Sequence, residues 1–77
     1  MKTYLLLFHS SEGEYPHIVM EKLTKIGFNP IRGHYDLEYD HGSHIEIDDI
    51  MRLATSVHET LRGCKVFYKL ETIPIGD

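Results

Sequence analysis

Six histidines stand among 77 residues: His9, His17, His34, His41, His44 and His58. Imidazoles and carboxylates are ligands for borderline divalent cations and partners in proton transfer. They mix most densely between His34 and Glu46, where Asp36, Glu38, His44 and Glu46 would form a metal set if one surface held all of them. Neither a zinc-finger spacing nor a His-Glu-x-x-His pattern is present. A solvated strand face is the plainer reading of the same residues. A second polar group, His9-Ser10-Ser11, ends an apolar run. Strand ends beside a helix N-terminus attract anionic ligands. His9, Ser10 and Ser11, with His34, Tyr35 and Asp36, therefore make the candidate ligand-binding set. Adjacent His9 and Ser10 also invite a base-and-nucleophile reading, against which two features stand. Neighbouring side chains on a strand point apart, and no third group is at hand to orient the imidazole. The plain alternative is a polar strand end.

Elements must position these residues. Residues 2 to 9 are apolar almost throughout, which predicts a central strand covered on both faces. Ser10 to Glu14 interrupt it with turn formers. A helix is expected over residues 15 to 26, with Pro16 in its first turn and Gly27 just past its end. Ile18, Val19, Leu23 and Ile26 share one face of it. A second helix runs from a cap at Asp48 or Asp49 to about Leu61. Its stripe is Ile50, Leu53, Ala54, Val57 and Leu61, and Gly63 closes it. Lys65 to Ile73 alternate as a last strand, ended by Pro74 and Gly76.

Residues 30 to 47 read as a hairpin. A loop at Asp40-His41-Gly42 pairs Leu37 with Ile45 and Tyr35 with Ile47, which keeps one face apolar. It also puts Gly42 at the left-handed position of such loops. His34, Asp36, Glu38, His44 and Glu46 then share the other face, with Glu38 opposite His44 and Asp36 opposite Glu46. Pro30 places the first hairpin strand at a sheet edge.

Strand, helix, strand, strand, helix, strand, joined by right-handed crossovers, gives an α+β fold. It is a ferredoxin-like βαββαβ sandwich, a four-stranded antiparallel sheet with two helices on one face, and residues 1–77 form a single domain. A chain of this length buries only about 60% of its unfolded surface. A net charge of −4 and scattered Lys and Arg argue against nucleic acid and against anionic membranes. Tyr4 to Phe8 is too short an apolar run for a signal segment or a membrane span. One cysteine, Cys64, allows no internal disulfide, fits a reducing cytoplasm, and reads as a small packed residue. No cofactor is implied. The uncovered sheet face offers either Tyr4, Leu6 and Phe8 or Leu5 and Leu7, with Phe67 among Lys65, Lys69 and Glu71. Such a face predicts a homodimer, sheet to sheet or edge to edge.

Gly33-His34-Tyr35-Asp36 resembles the Gly-x-Tyr-Asp motif of the small effector domains of leucine-responsive regulators. Leu61-Arg62-Gly63-Cys64-Lys65-Val66 resembles their junction into the last strand. The resemblance implies a ferredoxin-like dimer, joined through its sheets, that binds a small molecule between subunits. In that family the motif opens the third strand with the turn just before it, and residues 41 to 47 would then be an insertion. Lys25-Ile26-Gly27-Phe28 resembles the helix exit of small CRISPR-associated metal nucleases. Those carry an aspartate where this chain has Phe8-His9-Ser10. RNA-recognition domains share the topology but need exposed aromatics amid basic residues. The leading expectation is a non-enzymatic, homodimeric module that binds a small ligand or regulates. The rivals are a small dimeric enzyme using His9 and hairpin residues such as His34, and a divalent-metal protein.

Overall fold

Alternation along the first strand decides which way the sheet faces. In the computed structural model, which describes residues 1–74, β1 (Lys2–Phe8) buries Thr3, Leu5 and Leu7. It turns Lys2, Tyr4, Leu6 and Phe8 the other way. α1 (Pro16–Lys25) adds Val19 and Leu23 to the buried side, and α2 (Ile47–Leu61) adds Leu53, Val57 and Leu61. With Phe28 and Leu37 these form one core between the helices and one sheet face. Each such side chain contributes about 1.5–3 kcal/mol by leaving water. β2 (Asn29–Pro30), β3 (Leu37–Asp40) and β4 (Phe67–Ile73) complete the antiparallel sheet in the order β2-β3-β1-β4. Two helices on a four-stranded sheet in that order make the fold α+β and ferredoxin-like. Pro30 lies at a sheet edge, as its missing N–H requires. Cys64 is buried as a packed thiol. No helix among the described residues is long and apolar enough to cross a membrane. Pro74 follows β4, and Gly76 lies outside the described residues.

Gly27 ends the first helix region at φ +110°, and a Cβ there would meet the Tyr39 ring at 2.7 Å. The glycine therefore lets Tyr39 pack edge-on to Phe28, with ring centroids 5.5 Å apart.

The hairpin differs from the expected one. Its connection spans residues 31–36, closed by Ile31 N–H donating to the Asp36 carbonyl at 3.0 Å, and β3 begins at Leu37. Gly33-His34-Tyr35-Asp36 thus leads into β3 rather than lying within a second strand. Leu37 faces Pro30 and Leu5, not Ile45, and Tyr35 does not pair with Ile47. Residues 41–46 are a loop. Gly42 does adopt φ +80°, but inside that loop. Ile47 starts α2 and is 76% exposed. The α2 cap also moves. Glu46 occupies the cap position, and the Asp49 carboxylate accepts its N–H at 2.9 Å. Nor is β1 covered on both faces by elements. On its outer side the Tyr35 ring stacks on Tyr4 at 5.1 Å, and Lys2 pairs with Glu38.

Candidate functional site

The two expected sites come apart differently. Asp36 lies where β3 has not yet begun. Its N–H donates to the Leu5 carbonyl at 3.0 Å, and its carboxylate accepts the Leu7 N–H at 2.7 Å. One residue thereby continues the pairing of β1 beyond the end of β3. Tyr35 crosses the outer sheet face, over Tyr4, and its hydroxyl donates to Glu71 at 2.7 Å. His34 is exposed, edge-on to Tyr35. His9, Ser10 and Ser11 are exposed beyond β1, and the Ser10 hydroxyl donates to the Lys65 carbonyl at 3.0 Å. An acid–base pair of His9 with His34 would need a carboxylate to orient it. Asp36 is already committed to the backbone.

The metal set is not assembled. Glu38 pairs with Lys2 at 3.3 Å, Asp36 holds Leu7, His44 lies in the 41–46 loop, and Glu46 caps α2. The oppositions Glu38–His44 and Asp36–Glu46 required the hairpin register that does not form. Among the described residues no group of three or more His, Cys, Asp or Glu is placed to hold a metal ion.

A different constellation forms at the other end of β1. The 41–46 loop, folded back instead of pairing as a strand, leaves a cavity of about 410 Å³ against α2. Ile26, Tyr39, Ile45 and Leu53 supply its apolar lining, and Asp40, His41, His44, Asp49, Arg52 and Ser56 its polar groups. That volume falls within the roughly 300–1,000 Å³ typical of small-molecule sites. The α2 periodicity brings Asp49, Arg52, Leu53 and Ser56 to one side of the helix. Asp49 accepts from Arg52 at 3.3 Å while holding Glu46 N–H.

His41 anchors the loop. Its Nε2 lies 2.6 Å from the Thr3 hydroxyl, which lies 2.7 Å from the Thr72 hydroxyl across the β1–β4 ladder. The Met1 ammonium donates to the Gly42 carbonyl beside it at 3.1 Å. Burial, and then the Met1 charge, push the His41 imidazole below its ordinary range, against the pull of Asp49 and Asp40. A hydroxyl beside an imidazole resembles a nucleophile and its base. Thr3, however, is only 2% exposed and bonded to Thr72, so no substrate reaches it. The pair is structural. Of these cavity residues the sequence pointed only to His44, and for another role. Asp40-His41-Gly42 reads as a hairpin turn, and Thr3 lies 38 residues from His41.

Comparison of the chain with protein-family models, curated proteins and solved structures finds no match.

Proposed function

We propose that the chain is a non-enzymatic domain that binds a small polar molecule in the cavity beside His41 and works as a homodimer. The observation that carries this reading is the cavity itself. It brings the Arg52 guanidinium, two carboxylates, two imidazoles and the Ser56 hydroxyl together, with Ile26, Tyr39, Ile45 and Leu53 among them. Polar groups that converge on a concave site are what orient a small polar ligand. The dimer draws support from domain size and from exposed Phe67 on β4, which a second copy can shield. A reducing, cytoplasmic setting accords with the lone buried thiol.

The test is a metabolite screen read by amide NMR shifts. A binder moves Ile45, Arg52 and Ser56 together, and Ile45→Arg, which fills the cavity, abolishes those shifts. A broad screen that moves none of these amides refutes the ligand site.

A further inference from the structure

β4 is the long open edge of the sheet. Among the described residues it pairs with β1 alone, while β2, at the opposite edge, is two residues long and contains Pro30. All seven residues of β4 run without proline, glycine or a break in register. An edge of this kind presents its backbone N–H and C=O groups to another chain. Ladder parity identifies the residues that carry them. On β1, the Met1 and Leu5 carbonyls accept from His41 and Asp36, and Leu7 N–H donates to Asp36. Odd-numbered β1 residues therefore aim their backbone groups at β3, and even-numbered ones at β4. Phe67, Lys69, Glu71 and Ile73, opposite the even positions, are turned to β1. Tyr68, Leu70 and Thr72 aim theirs outward.

We propose that β4 pairs antiparallel with β4 of a second copy, about a two-fold axis through Leu70, so that the two sheets become one. This rests on the dimeric state proposed above and adds its geometry. Registers centred on Lys69, Leu70 or Glu71 all set outward backbone groups against each other. Centring on Lys69 opposes lysine to lysine, and centring on Glu71 opposes glutamate to glutamate, which is unfavourable. Centring on Leu70 opposes Lys69 to the second copy's Glu71, and Glu71 to the second copy's Lys69. It also sets Phe67 against Ile73 and Tyr68 against Thr72. The segment Phe67-Tyr68-Lys69-Leu70-Glu71-Thr72-Ile73 is thus complementary to its own reverse. The outer sheet face is a poorer interface. Tyr35 already lies on Tyr4 and holds Glu71, and Lys2 and Glu38 pair across it.

The experiment measures oligomeric state by light scattering, and amide hydrogen exchange over a concentration series. Wild type, Lys69→Glu, Glu71→Lys and an equimolar mixture of the two variants are compared. The edge pairing predicts a wild-type dimer in which the Tyr68, Leu70 and Thr72 amides gain protection with concentration. Each variant alone opposes like charges at both positions and raises the dimer dissociation constant roughly tenfold or more. The mixture restores two attractive pairs and hence the dimer. Because Glu71 also holds Tyr35, circular dichroism checks the fold of Glu71→Lys. Lys69→Glu, at an exposed site, reads the interface without touching that contact. A wild-type dimer whose Tyr68, Leu70 and Thr72 amides exchange freely overturns the edge pairing and leaves the dimeric reading intact. A monomer at every concentration overturns both.

Discussion

The Tyr35 hydroxyl donates to Glu71 at 2.7 Å, tying the connection between β2 and β3 across the outer sheet face to β4. The phenol is held above its ordinary range, first by this hydrogen bond, then by burial and by the Glu71 charge. A raised folded value favours the protonated form. The stabilisation is complete below the unfolded tyrosine value of about 10 and is lost as pH rises through the higher folded value. Tyr35→Phe is expected to lower the urea midpoint at neutral pH and to flatten the alkaline limb. Phenolate absorbance should show Tyr35 titrating later in the wild type than in Glu71→Ala. A Tyr35→Phe protein with an unchanged alkaline limb contradicts the contact.

Asp36 makes a separate prediction, because its carboxylate replaces a missing strand partner of Leu7. Asp36→Ala leaves a part-buried N–H unsatisfied and is expected to cost about 1–3 kcal/mol in denaturant unfolding. Asp36→Asn keeps an acceptor oxygen and should cost clearly less. Equal losses for the two would mean that the hydrogen bond is not the reason for this residue.

His41 titrates in the opposite sense from Tyr35. Its folded pKa lies below the ordinary value of 6.5 because of burial, and next the Met1 ammonium. The unfolded chain therefore takes up the proton first. The stabilisation is present above about pH 6.5 and is lost as pH falls through the lowered folded value. Asp40 and Asp49 oppose the shift, and His44 and Arg52 line the same cavity. Comparing wild type with His41→Gln isolates the effect of one ring. The expected outcome is a shallower acid limb for the variant, and parallel limbs would rule the effect out.

Gly27→Ala tests the close approach of Tyr39. The backbone there has φ +110°, and the added Cβ would sit 2.7 Å from the ring. The conformation alone costs an L side chain about 1–3 kcal/mol, before Tyr39 moves off Phe28. Thermal melts should show a clear loss for Gly27→Ala. Gly33→Ala, also at positive φ but with open space around it, should lose less.

The layers were legible from the sequence because periodicity is a local property. Val19 and Leu23, and Leu53, Val57 and Leu61, lie where a helical repeat puts them. The hairpin was not legible, and the reason is specific. Tyr35, Asp36 and Leu37 alternate like a strand. Yet Asp36 is polar because its carboxylate serves a backbone partner, and Tyr35 is aromatic because it caps the outer face. Gly33 and Gly42 both take positive φ, so glycine alone could not choose between two turns. The cavity was hidden for a related reason. Its walls come from residues as far apart as Ile26 and Ser56, and it exists only because residues 41–46 do not pair.

The unequal edges of the sheet set how far assembly can go. β2 offers two residues, one of them a proline without an N–H, so nothing can be templated there. β4 offers seven. A molecule with one adhesive side and one inert side cannot polymerise. Under the proposed pairing, joining two copies would consume the adhesive side of each and leave Asn29-Pro30 outward at both ends. The proline that narrows the hairpin would then act as a chain terminator, so that self-association through the proposed β4 pairing would close at a pair instead of running on into a fibre.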